Sequence, residues 1–190
     1  MTTEEVTIPL HRPSLAEKVF FLLSGVIVSV PMTLFVMQFS DILCIPLPFF
    51  YAEICSVAVF TPFVEEFAKA YPLFYRHGET EKSMFVLGFL AGTGFGFSEF
   101  ILYVATLGAP VPTRLALMAF HSANASITAY GIAVKKPLQF YLIAVMLHLS
   151  NNLLALAGDV WLIGGPATLF VAYLLSYTLY RKTSDRIIPY

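Results

Sequence analysis

Two adjacent carboxylates, Glu65 and Glu66, stand inside the apolar run Val-Phe-Thr-Pro-Phe-Val-Glu-Glu-Phe-Ala-Lys-Ala-Tyr that begins at Val59. Lys69 follows at i+4 from Glu65 and i+3 from Glu66, where an ammonium can neutralise either carboxylate. An ionisable side chain at a bilayer centre costs about 2.5–3.5 kcal/mol on insertion scales, so a pair of them calls for a compensating use. Glu99, His121 and then His148 and Asn152 follow along the chain. The last two are i,i+4 and share a helical face, with Asn151 rotated by about 100° towards a neighbouring helix. These residue types suit hydrolysis by activated water. A carboxylate removes a proton from water, an imidazole orients it, and donors stabilise the tetrahedral oxyanion. No serine or cysteine has a convincing local base, and Ser122 beside His121 lies on the wrong helical face for pairing. His121 and His148 with Glu66 could instead hold zinc through nitrogen and oxygen ligands. The zinc-protease spacing His-Glu-x-x-His is absent, which favours glutamate-activated water with no cofactor and keeps zinc as the variant.

The elements that must carry these residues follow from composition. The chain of 190 residues is 58% hydrophobic and 12% charged, with 18 Phe, whereas soluble domains carry about 25% charged residues. Too little polar surface is available for water, so the solvent is lipid. A formal net charge of −1 leaves no basic footprint for nucleic acid. Six apolar segments, approximately 18–40, 49–75, 83–107, 112–134, 138–157 and 160–180, meet the requirement of about 20 residues for a bilayer helix. The first is too long for a signal-peptide core and is retained as a span. Strand-type alternation is absent, so the expectation is an all-α polytopic membrane protein, a bundle of about six transmembrane helices.

Positive residues orient the bundle. Arg12, Lys18, Arg76, Lys82, Lys135, Lys136, Arg181, Lys182 and Arg186 fall on one side, against Arg114 alone on the other. This places both termini in the cytoplasm of a multi-pass cell-membrane protein. The expected organisation is a cytoplasmic arm at 1–17, the transmembrane domain at 18–182 and a cytoplasmic tail at 183–190. Gly88, Gly92 and Gly96 recur every four residues in the third span, a pattern that lets helix backbones approach closely in lipid. Cys44 and Cys55 read as two soft, unpaired core residues. Apolar outer faces are expected in lipid, so they permit a homo-oligomer without arguing for one.

Depth ties the polar residues together. Counted from each cytoplasmic end at about 1.5 Å per residue, Glu65 lies roughly 16 Å deep, Glu99 about 24 Å, His121 about 21 Å, and His148 and Asn152 about 15–21 Å. Four helices therefore deliver polar groups to one layer. Pro62 removes a backbone hydrogen bond just before the Glu pair and loosens the helix there. Any one of these residues alone could be interhelical glue or a structural ion pair; the set together points to a site.

The ordered motifs Glu65-Glu66-x-x-Lys69, Phe95-x-x-x-Glu99, His121 and His148-x-x-x-Asn152 span residues of about 60–155. They resemble the PrsW branch of the superfamily that includes CAAX prenyl endopeptidases and bacteriocin-processing membrane proteins. Ala70 stands where the prenyl endopeptidases have arginine, and Glu99 where they have histidine, which favours the PrsW branch. The resemblance implies an endopeptidase that cuts membrane-anchored polypeptides within or beside the bilayer. It implies Glu65 as general base, Glu66 as its support or a substrate-backbone ligand, and His148 with Asn152 at the oxyanion. With Glu99 in the histidine position, His121 has to supply the imidazole. Lys69 and Asn151 are expected beside the substrate. Two rivals share the residue pattern: a proton- or cation-coupled transporter, since intramembrane Glu and His also build proton relays, and a catalytically silent scaffold of the same fold. Inverted repeats and paired broken helices, which usually accompany transporter folds, are missing.

Overall fold

A computed structural model describes residues 12–75, 80–185 and 188. Arg76, Arg186 and most of the expected N-terminal arm lie outside the described residues. Among those described, the chain is helical with no strand, and six helical rods follow one another. We label them α1 (Leu15–Cys44), α2 (49–70), α3 (Glu81–Thr106), α4 (Val111–Ala133), α5 (Pro137–Leu156) and α6 (Trp161–Lys182). α1 starts three residues before the expected span because Ser14 caps it. The Ser14 hydroxyl accepts from the Glu17 N–H, and the Glu17 carboxylate accepts from the Ser14 N–H.

Leu15–Cys44, Glu81–Thr106, Pro137–Leu156 and Leu162–Lys182 are long and apolar enough to cross a membrane. α2 falls short because it carries Glu53, Glu65, Glu66 and Lys69. α4 is the more instructive exception. Phe120 to Ala129 is buried without a break, although this stretch includes His121, Ser122, Asn124, Ser126 and Thr128. A polar helix is stable in lipid only when other helices cover it, so α4 forms the axis of the bundle. The outer faces carry the reverse composition, with Phe35, Ile42 and Leu162 among many exposed apolar side chains.

Small residues allow α3 to lie against α4. A Cβ placed on Gly92 would come 2.4 Å from the His121 carbonyl oxygen, and one on Gly88 would come 2.3 Å from Ala129 Cβ. Gly94 turns to the other side, where an added Cβ would meet the Leu22 carbonyl at 1.8 Å, so α3 is gripped by α1 and α4 together. Gly92→Val should therefore wedge α3 from α4. Overpacking costs about 1–3 kcal/mol, so the unfolding temperature in detergent is expected to drop, while Phe97→Leu on an exposed face leaves it unchanged. Equal unfolding temperatures for Gly92→Val and the parent would refute the close approach.

One expectation is corrected. Cys44 and Cys55 are not separate core residues but form a disulfide, with Cα atoms 5.7 Å apart. α1 ends at Cys44, and the short turn that follows sends α2 back beside it. The 11-residue separation thus becomes a spatial contact that neither apolar segment reveals alone.

Candidate functional site

Glu65, Glu66 and Lys69 come from α2, Glu99 from α3, His121 from α4, and His148, Asn151 and Asn152 from α5. The bundle gathers all eight, but into two layers. A cavity of about 650 Å³ is lined by Glu65, Glu99, His121, His148, Asn151 and Asn152, together with Tyr103 and Arg114. Glu66 and Lys69 do not line it; both are wholly buried behind it.

Lys69 organises the hidden layer. Its ammonium donates to Glu66 Oε1 at 2.7 Å and to His121 Nδ1 at 2.8 Å, and it lies 4.6 Å above the Phe95 ring. Glu65 Oε2 stands off at 3.9 Å. Lys69 was expected beside the substrate; the structure buries it behind the cavity, with two of its donors on protein groups. The Phe95-x-x-x-Glu99 motif also gains a meaning invisible in sequence, since its aromatic residue holds the cation by its π-face.

The hydrogen bonds assign the histidine tautomers. An ammonium only donates, so His121 Nδ1 accepts, and its Nε2–H donates to Glu99 Oε2 at 2.8 Å. A carboxylate only accepts, so His148 Nδ1–H donates to Glu66 Oε1 at 2.8 Å. In the neutral imidazole this leaves the lone pair on His148 Nε2, 3.8 Å from Glu65 Oε2. That Glu65 oxygen is buried and has no hydrogen-bond partner. Leaving a buried carboxylate oxygen unsatisfied is costly, so an orphan of this kind calls for an explanation.

Asn152 owes its position to Pro62. The α2 backbone widens over Ile54–Phe60, where Thr61 N–H reaches back five residues to the Ser56 carbonyl. Pro62, next in line, has no N–H to offer Val57. The Val57 carbonyl instead accepts from Asn152 Nδ2 at 2.9 Å. One N–H of that amide is used, and the other is available to the cavity. Asn151 is buried, its Oδ1 accepting from the Thr168 hydroxyl of α6 at 3.2 Å, so its carbonyl positions the helix pair.

Glu65, His121 and His148 offer ligand atoms within 4.8 Å of one another, the group among the described residues that could hold a metal ion. The expected carboxylate ligand was Glu66. The structure replaces it with Glu65, because Glu66 is turned away to His148 Nδ1 and Lys69. Carboxylate support of His148 through its other nitrogen is the usual arrangement around a metal-bound imidazole. His121 has the opposite surroundings, an ammonium at Nδ1.

Residues that spacing did not single out are Tyr103 and Arg114 on the cavity wall. Arg114 was visible as the lone cation on its side of the chain, which is the signal that pointed to it. In comparisons with curated proteins and with solved structures, nothing matches the chain. A family model does, over residues 15–180, which takes in all six helices and every residue of the two layers. The chain is an integral membrane protein of the PrsW family of intramembrane metalloproteases.

Proposed function

We propose that this chain is an endopeptidase that hydrolyses membrane-anchored polypeptides at the cavity between α2, α3, α4 and α5, using a water activated by Glu65. The observation that carries the reading is that Glu65 lines the cavity while its Oε2, buried 3.8 Å from His148 Nε2, has no hydrogen-bond partner. One water can hydrogen-bond both groups at that separation. Glu65 takes its proton while His148, aligned by Glu66, accepts its second hydrogen bond. The hydroxide oxygen adds to the scissile carbonyl carbon, and the carbonyl π-electrons move to oxygen. The spare N–H of Asn152 donates to that oxyanion. As the C–N bond breaks, the proton held by Glu65 passes to the leaving nitrogen, which restores the carboxylate. Glu99, held by His121 Nε2–H, accepts a backbone N–H of the bound strand. His148 is thus assigned to water rather than to the oxyanion: as a neutral imidazole with Nδ1–H on Glu66, its Nε2 accepts a hydrogen bond and has none to donate.

The metal that the family name implies fits these residues only in part. Glu65 and His148 suit a divalent ion, but His121 would have to ligate with an ammonium against its other nitrogen, the reverse of ordinary support. We therefore derive no step through a metal. Charge asymmetry supports cytoplasmic termini and a multi-pass orientation, with 18–182 as the protease domain between two short cytoplasmic segments.

The test uses the full chain in nanodiscs, a library of transmembrane peptides, and product masses with and without complete chelation. Cleavage inside or beside the apolar segment, unchanged after chelation, is expected. Loss on chelation with recovery on added zinc would overturn glutamate activation, and no product from any peptide would leave the silent-scaffold reading.

A further inference from the structure

We propose that Arg114 is a specificity determinant of this site, binding a carboxylate on the substrate about three residues from the scissile bond. The inference rests on the endopeptidase reading and extends it to a substrate class, polypeptides with an acidic residue near the cut. Arg114 lines the same cavity as Glu65, Glu99 and His148. Its guanidinium carbon lies 3.6 Å from the centroid of the Tyr103 ring, so one face of the planar group is fixed by stacking. The in-plane N–H fork is left free for an acceptor. Its Nε is buried without a hydrogen-bond partner, and among the described residues no carboxylate pairs with it.

Helix energetics do not explain this cation. Arg114 sits in the first turn of α4, where the helix dipole disfavours positive charge. A half-buried guanidinium with an unsatisfied donor, at the wrong end of its helix, needs an anionic partner that the described chain does not provide. Arg114 is seven residues before His121, two turns away on the same face, which is about 10.5 Å along the axis. An extended strand covers that distance in about three residues at 3.3–3.6 Å each. A scissile bond beside His121 and Glu65 therefore brings the side chain three positions away to the guanidinium. A carboxylate there receives two parallel N–H bonds, the arrangement to which arginine is best suited.

The test takes a transmembrane peptide cleaved by the full chain and places Glu, Gln or Lys three residues to either side of the cut, each with a free or an amidated C-terminus. In phosphatidylcholine nanodiscs the Glu peptide should be cleaved with about tenfold higher kcat/KM than the Gln peptide at one of the two positions. Arg114→Gln should bring that ratio to one, and Arg114→Glu should favour Lys. A preference that follows only the free C-terminus identifies the terminal carboxylate as the ligand and overturns the side-chain assignment. Activity that follows added phosphatidylglycerol, with no peptide preference, assigns the anion to lipid and also overturns it. A uniform loss for all peptides in Arg114→Gln, with the ratio kept, reduces Arg114 to a structural residue. Binding of the same peptides to Glu65→Gln protein separates the two readings. If no peptide is cut, the endopeptidase reading falls, while tighter binding of Glu than Gln, lost in Glu65→Gln/Arg114→Gln, still supports the carboxylate site and equal binding overturns it.

Discussion

Glu65→Gln is expected to lower kcat/KM for a transmembrane peptide by at least about 10³-fold, within the range of general-base contributions. This corresponds to about 4 kcal/mol of lost transition-state stabilisation. The substitution keeps the shape and burial of the side chain but removes its capacity to take a proton. It should leave folding intact, because Glu65 makes only a 3.9 Å approach to Lys69, and the close ion pair belongs to Glu66. The measurement is peptide cleavage by purified protein, with the unfolding temperature in detergent as a control. Proteolysis that persists in a well-folded Glu65→Gln protein removes Glu65 from the chemistry.

The second large effect concerns folding rather than catalysis. Lys69 is wholly buried and joins Glu66, His121 and the Phe95 ring. Lys69→Met leaves the Glu66 carboxylate buried without its cation, and breaking a buried pair in this way costs about 3–5 kcal/mol. Loss of folded protein, or a large fall in unfolding temperature, is expected. Removing both partners removes the stranded charge, so Lys69→Met/Glu66→Gln should regain much of that stability. It should not regain activity, because His148 loses its carboxylate support and His121 the donor that sets its tautomer. If Lys69→Met alone is as stable as the parent, the ion pair is not what holds the hidden layer together.

Much of this was legible without coordinates. An uninterrupted apolar pattern with few charges identifies lipid as the solvent, and helix is the backbone form that satisfies its own polar groups there when strand alternation is missing. Counting residues from the positive ends then brings Glu65, Glu99, His121, His148 and Asn152 to one layer, and the cavity contains all five. The glycine stripe marked α3 as a close neighbour of another helix. The disulfide was not legible, because Cys44 and Cys55 meet only through the turn between α1 and α2. The central place of α4 was not read from its sequence either, although its polarity requires that other helices cover it.

The sequence by itself determined the solvent and the helical class, and it proposed candidate site residues together with the four helices that carry them. All of these follow from local composition and from a periodicity of 3.6 residues. Only the tertiary structure decided between neighbours: that Glu65 faces the cavity while Glu66 and Lys69 stand behind it, that His121 pairs with Lys69 and Glu99 while His148 pairs with Glu66, and that Arg114 overlooks the same space. Adjacent helical residues differ by about 100° in direction. Which of them reaches the cavity depends on how helices distant in sequence cross and rotate against one another, and no local pattern encodes that.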